Sequence, residues 1–286
     1  ADPKTGVIRI QATVRHAGER LARGRVEFTV APAAAGETLQ AATVEREFPV
    51  GDTRVATELK LAQPRLWELN DPFLYRVTAR VTTTDSGSVD ELSGHCGFRE
   101  FRFEDGYFRL NGRRLLVRST HTCNHFPVGL KLPPDPDMAR RDLLDVKVMG
   151  FNMIRFIWGG AEPSQLDLCD ELGLMVYEES FASWPMQDST QLAARWNQAV
   201  GELIRRDRNH PSVVIWGLLN EVRDSAHFRL AVASLPAVRQ LDDTRMAFLN
   251  SGRWDLAGAD SSVFDRLEIW HSSAGREPWV TLNPSA

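Results

Sequence analysis

The apolar pattern of this chain changes period once, and that change limits what it can fold into. From residue 7 to about residue 102, apolar positions alternate with polar ones. Ile8, Ile10, Ala12 and Val14 do so first, then Val26, Phe28 and Val30, then Phe73, Tyr75, Val77, Ala79 and Val81. A period of two describes a strand with one buried face and one wet face. Turn-forming stretches such as "VGDTR" (50–54) and "LNDP" (69–72) separate the runs. Several short alternating strands in this span predict an antiparallel β-sandwich of immunoglobulin type over residues 1–102. No Cys-Trp-Cys spacing links it to antibody domains, so the expectation concerns architecture alone.

From Tyr107 the pattern becomes strand, helix, strand. "YFRLNGRRLLVRS" (107–119) reads as a hairpin turning at Asn111-Gly112. A helix is expected over 137–150, with Ala139, Leu143 and Val146 on one stripe and Gly150 at its left-handed end. "FNMIRFIW" (151–158) reads as a buried strand, and a helix opened by Ser164 and closed by Gly173 follows. Then come the strand "LMVYEES" (174–180) and a helix with Trp196, Val200, Leu203 and Ile204 on one face before Pro211. "VVIWGLLNEV" (213–222) is the next strand, and "FRLAVASLPAVRQL" (228–241) a helix kinked or ended near Pro236. "RMAFLN" (245–250) and "LEIWHS" (267–272) are the expected fifth and sixth strands. Apolar strands alternating with helices mean a parallel sheet covered by helices. The chain has no GxGxxG or GxxxxGK[ST] loop of the kind an open doubly wound sheet carries, which leaves a (β/α)8 barrel. Residues 103–286 are therefore expected to form an incomplete TIM barrel of about six strands.

Composition removes several classes of function. A net charge of −4 argues against nucleic acid as a partner, and no apolar run is long enough to span a bilayer. Cys96, Cys123 and Cys169 are too few and too scattered for a disulfide framework. The chain enters a strand pattern almost at once, as if cut, and shows no signal peptide, which slightly favours a cytoplasmic location.

In a TIM barrel, reactive groups sit at the C-terminal ends of the strands. That rule places Asn220 and Glu221, Arg155 and Trp158, Glu178 and Glu179, Trp270 and His271, and the run His121–His125 around one mouth. Carboxylates, an amide, an arginine, histidines and tryptophans together suit a sugar ring, with its apolar faces and hydroxyl edges. A zinc reading competes for "HTCNH", where His121, Cys123 and His125 would share one side of a strand, but three ligands there are crowded and no fourth is evident. No cofactor and no metal are expected. His210 reads as structural, and Trp196, Trp216 and Cys169 as core.

"RDRNHPSVVIWGLLNE" (206–221) resembles the acid/base signature of glycoside hydrolase family 2, which contains β-galactosidases, β-glucuronidases and β-mannosidases. "PRLWELNDPFLYRV" (64–77), "GFREFRFEDGYFRLNGRRLLVRS" (97–119) and "LCDELGLMVYEE" (168–179) resemble further family segments in the same order. The resemblance implies retaining hydrolysis of β-glycosidic bonds in a carbohydrate substrate, with Glu221 as general acid/base and Asn220 on the sugar 2-hydroxyl. It also implies that Arg155 steadies the nucleophile and that Glu179 and His271 line the pocket, where His121 and Trp158 are also placed. The family's nucleophile belongs to a seventh strand, and the chain is expected to stop short of it and to be inactive alone. Glu178, Glu179 and Glu268 are the first suspects for a nucleophile within the chain. The open edges of six strands would be met by a second copy or by further chain. Ser119 after Arg118, Cys123 in place of a histidine, and "FIWGG" (156–160) depart from the family pattern. A sugar-binding protein of the same descent that has lost hydrolysis, or a metal-dependent barrel hydrolase, are the alternatives.

Overall fold

The computed structural model describes residues 1–251 apart from Pro127, Lys131, Leu132, Pro134, Trp184, Pro185 and Asp224, together with the strand residues 262–264, 268–270 and 280–281. The chain divides into two compact units, Ala1–Glu100 and Phe101–Ala286.

The first unit is antiparallel throughout. Its strands are β1 (Val7–His16), β2 (Ala22–Pro32), β3 (Gln40–Phe48), β4 (Gly51–Lys60), the short pair β5 (Trp67–Glu68) and β6 (Asp71–Pro72), β7 (Tyr75–Thr83) and β8 (Val89–Cys96). One sheet runs β3-β2-β7-β8, and β1 pairs with β4. The period-two reading fits the burial: Val26, Phe28 and Val30 of β2 are within 1% of full burial, while Arg25 and Glu27 face water. They pack against Ile8, Phe48, Val55, Leu59, Tyr75 and Phe98 in one core. Each such side chain contributes about 1.5–3 kcal/mol by leaving water. Phe73 lies outside β7, which begins at Tyr75.

The second unit opens with β9 (Phe101–Glu104), β10 (Tyr107–Leu110) and β11 (Arg113–Leu115). Asn111 and Gly112 join the last two with φ of 52° and 79°, the positive pair a two-residue hairpin turn needs. Five parallel strands follow in spatial order: β12 (Ser119–Thr122), β13 (Met153–Phe156), β14 (Met175–Glu179), β15 (Val213–Gly217) and β16 (Met246–Asn250). Helices α1 (Pro136–Val148), α2 (Pro163–Leu172), α3 (Leu192–Asp207) and α4 (Ala226–Leu241) make the crossovers between β12 and β16. Ile154, Phe156, Val176, Trp216, Ala247 and Leu249 face these helices and pack with Leu143, Leu166, Cys169, Trp196, Ile204 and Leu235. The alternate residues, among them Arg155, Tyr177, Glu179 and Gly217, therefore face the other way, into the barrel.

Several boundaries differ from expectation. α2 begins at Pro163 rather than at Ser164, because Glu162 caps it and its backbone N–H donates to Gln165 Oε1 at 3.0 Å. Of the two readings at Pro236, a kink or an end, the end is set aside, since α4 runs through Pro236 to Leu241. The segment expected as a parallel sixth strand contains β18 (Glu268–Trp270), but β18 pairs antiparallel with both β17 (Ser262–Phe264) and β19 (Val280–Thr281). Only three residues separate β17 from β18, too few for the crossover a parallel pair requires. His210 is structural as expected. Its Nδ1 lies 2.7 Å from Asp170 Oδ2, and Asp170 Oδ1 accepts from Ser212 N at 2.9 Å, tying the entrance of β15 to α2. Asp167 completes a group of three potential ligands there, but Asp170 is already occupied by these two bonds.

Candidate active site

β13 and β14 deliver the central pair. Arg155 Nε donates to Glu179 Oε2 at 2.7 Å, and Arg155 Nη2 pairs with the same oxygen. Nη2 also donates to Asn220 Oδ1 at 2.8 Å, so one guanidinium joins the ends of β13, β14 and the segment after β15. Its Cζ sits 4.9 Å from the centroid of the Tyr177 ring, and Tyr177 packs on Phe248 with centroids 5.6 Å apart. Gly217 makes room for this cluster. A Cβ there would lie 2.3 Å from Tyr177 Cε2 and 3.0 Å from Glu179 Cγ, so only glycine fits beneath them.

Asn220 is buried and held by several further hydrogen bonds. Its Oδ1 also accepts from Ser251 Oγ at 2.7 Å, and its Nδ2 donates to Ser183 Oγ at 3.1 Å. Its backbone N–H donates to Ala182 O at 2.9 Å. Glu221 follows directly and is exposed to solvent. Its φ of 55° is unusual for any residue but glycine, asparagine or aspartate, and such backbone persists only where surrounding contacts hold it.

Burial of the Glu179 carboxyl pushes it up to about 7; Arg155 opposes that shift through charge and hydrogen bonding, while the nearby charge of Glu221 adds to it. Glu221 is thus close enough to Glu179 to be felt. Tyr177 interacts with Glu179 electrostatically, yet Tyr177 Oη and Glu179 Oε1 lack a well-formed hydrogen bond among the described residues. Burial likewise raises Glu178 well above the carboxylate range, helped by the charge of Asp207. Glu178 points to the helix side of the sheet. Its Oε1 accepts from Ala161 N at 3.1 Å and lies 3.5 Å from Arg206 Nη2, and Arg206 Nη2 donates to Ala161 O at 2.8 Å. Both atoms therefore grip the loop that carries Trp158. In that loop Trp158, Gly159 and Gly160 all have positive φ, and Gly160 lies against Glu178, where an added Cβ would come 3.1 Å from Oε1.

Of the residues expected at the mouth, the structure joins Arg155, Glu179 and Asn220 by hydrogen bonds and Glu221 through its charge. His121 is paired in register with Arg155 at the neighbouring strand and is exposed. Trp158 is 45% exposed. Among the described residues, no hydrogen bond or ring contact links His121 or Trp158 to the Arg155 network. Trp270 contributes strand backbone in β18, and His271 lies outside the described residues. The zinc reading of "HTCNH" needed a strand through His125. β12 ends at Thr122, and Asn124 turns with φ of 53° to bond Gln165 Oε1 at 2.8 Å, so the three side chains do not line one edge. Ser183, Gly217, Asn250 and Ser251 were not anticipated. Asn250 carried a usable signal, since it ends an apolar strand in a polar group just as Asn220 does.

The family model described as Glycosyl hydrolases family 2 matches residues 1–99, and that described as Glycosyl hydrolases family 2, TIM barrel domain matches residues 101–275. A solved β-glucuronidase from Parabacteroides merdae is 30% identical with a TM-score of 0.72, over 79% of this chain and 30% of that one. A β-glucuronidase from Bacteroides uniformis is 25% identical with a TM-score of 0.78, over 86% of this chain and 31% of that one. A glycosyl hydrolase family 2 member from Bacteroides cellulosilyticus is 24% identical with a TM-score of 0.76, over 86% and 33% of the two chains, a likeness of fold. The chain spans about a third of the length of each of these proteins.

Proposed function

We infer the function from one premise: this chain belongs to glycosyl hydrolase family 2, with an immunoglobulin-like domain followed by part of a TIM barrel. We propose that it serves the retaining hydrolysis of β-glycosidic bonds, with Glu221 as the group that protonates the leaving oxygen and then deprotonates the incoming water. The observation that carries this is the pairing of an exposed Glu221 with a buried, fully anchored Asn220 beside Arg155 and Glu179.

Each residue has a physical task in this reading. Arg155 and Ser251 occupy the Asn220 carbonyl oxygen and Ser183 takes one of its two amide hydrogens, which aims the other at a sugar hydroxyl. A donor held in place in this way costs no reorganisation when charge develops in the transition state. Arg155 keeps a positive charge at the floor, where it would steady an attacking carboxylate, and Glu179 holds that guanidinium in position. His121, Trp158 and His271 are proposed to line the pocket. The retaining route needs a second carboxylate as nucleophile. We assign it to none of the described side chains: Glu179 is engaged by Arg155, and Glu178 points to the helix layer.

The test uses aryl β-glucuronides and β-galactosides of increasing leaving-group pKa, with and without formate as an external nucleophile. The 286-residue chain is compared with its Glu221→Gln variant. Without formate, neither is expected to turn over. With formate, both should cleave the best leaving groups, and only the parent chain should cleave the poor ones, which need a proton donor. Equal cleavage of poor leaving groups by the variant would remove Glu221 from this role. Sugar protection against thermal unfolding with no turnover in any arm would replace hydrolysis by binding.

A further inference from the structure

The left-handed backbone at Glu221 has to be imposed from outside, and hydrogen bonds to both neighbouring peptide units are in place to do it. On the N-terminal side, Ser183 Oγ donates to Asn220 O at 3.1 Å, the carbonyl of the peptide that enters Glu221. On the C-terminal side, Val222 N donates to Asn250 Oδ1 at 3.1 Å, the N–H of the peptide that leaves Glu221. Asn250 Nδ2 then donates to Val222 O at 2.6 Å, so one side-chain amide closes a two-bond clamp on Val222. Asn250 is 0% exposed and Ser183 2%, so water does not compete for either clamp. The next residue, Ser251, holds the Asn220 amide at 2.7 Å from the same end of β16. Glu221 itself is the exposed point between these buried anchors.

We propose that Asn250 is a positioning residue, which directs the Glu221 carboxyl toward the Arg155–Glu179 pair by fixing the peptide plane that follows it. The catalytic meaning of this inference rests on the role given to Glu221 above; the geometry does not. Freed of the Asn250 clamp, that peptide can rotate toward an ordinary right-handed or extended backbone, and the carboxylate swings away from the floor of the mouth. An alanine leaves two main-chain groups of the buried Val222 without these partners. An aspartate of the same shape keeps the acceptor for Val222 N and sets an oxygen against Val222 O.

The experiment follows the titration of the Glu179 carboxyl by carbon-13 NMR in the 286-residue chain, which requires no turnover. Glu221→Gln removes a charge that raises Glu179, so it should lower the Glu179 midpoint in the parent chain. In an Asn250→Ala background, the same substitution should shift that midpoint by about half as much or less. Asn250→Asp should fall between the two. A merely structural asparagine would lower the melting temperature and leave the Glu221–Glu179 coupling at its parent size, and that result overturns the proposal. A parent chain whose Glu179 ignores Glu221→Gln overturns it as well. Should Asn250→Ala fail to fold, Asn250→Asp decides: weakened coupling supports the clamp, and unchanged coupling rejects it. Cleavage of poor leaving groups by Glu221→Gln would reject only the proton-donor role and leave the coupling result standing.

Discussion

Glu178 and Glu179 are neighbours on β14, both 0% exposed, and they serve different layers of the barrel. Glu179 faces inward, where Arg155 connects it to Asn220 and the charge of Glu221 reaches it. Glu178 faces the helices, where it meets Asp207 and Arg206 and holds the loop of Trp158 by its Ala161 peptide. Burial and a raised pKa are common to both, so neither marks the reactive one. The pleat decides, because successive side chains leave a strand on opposite faces. A perturbed carboxylate is a candidate for chemistry only after its face is known.

The difference can be attacked from each side, and the largest effect is expected at the inner pair. Above pH 7, where Glu179 is ionised, Arg155→Ala leaves that buried carboxylate without its counter-charge and should cost about 3–5 kcal/mol in urea unfolding at pH 8. A loss below about 1 kcal/mol would mean that the inner pair is no more than a surface-type ion pair.

The pH dependence comes next. The folded Glu179 holds its proton up to about 7, against an ordinary 4.5, so the folded state binds that proton more tightly than the unfolded chain does. Its contribution to stability is therefore complete below pH 4.5 and is lost as pH rises through about 7. The total change is about 3 kcal/mol. Glu179→Gln should flatten that part of the stability profile, measured by urea midpoints between pH 4 and 8. A profile with unchanged slope would show that Glu179 does not titrate there.

Smaller effects distinguish packing from charge. Gly217→Ala drives a methyl into Tyr177 and Glu179 and should cost about 1–3 kcal/mol, with the Arg155 network displaced in the near-ultraviolet signal of Tyr177. Arg206→Ala, on the helix side, should cost about 1 kcal/mol in the same measurement, because the Arg206 side chain is 44% exposed and water screens it. If Arg206→Ala proves as costly as Arg155→Ala, the two faces of β14 are energetically alike.

Much of this architecture was legible in the residue pattern. The change of period along the chain separated an antiparallel part from a strand–helix part, as the strand pairings have it. Asn111-Gly112 announced its turn, since both positions take positive φ and few residue pairs do so cheaply. Element ends were less legible. Ser164 looked like a cap, but Pro163 favours the first helical position and the cap moved to Glu162. Pro236 allowed a kink or a stop, and α4 continues past it with Leu235 and Val238 packed in the core on either side. The sixth strand was read from its apolar content alone, which cannot distinguish a parallel from an antiparallel partner.

For the site, the sequence by itself determined which candidate groups end its apolar strands, Glu221 and Asn220 on one and Arg155 and Glu179 on two others, and the motif that relates the chain to a glycosidase family. Only the tertiary structure decided that Glu179 and not Glu178 meets Arg155, that Gly217 leaves the space they occupy, and that Ser183 and Asn250 grip the peptides on either side of Glu221. The physical reason is range. Period, turn and cap signals act between residues close in sequence, whereas the bonds that hold Glu221 in place come from residues 37 and 28 positions removed from those they bind. Such bonds exist only once the parallel strands lie side by side.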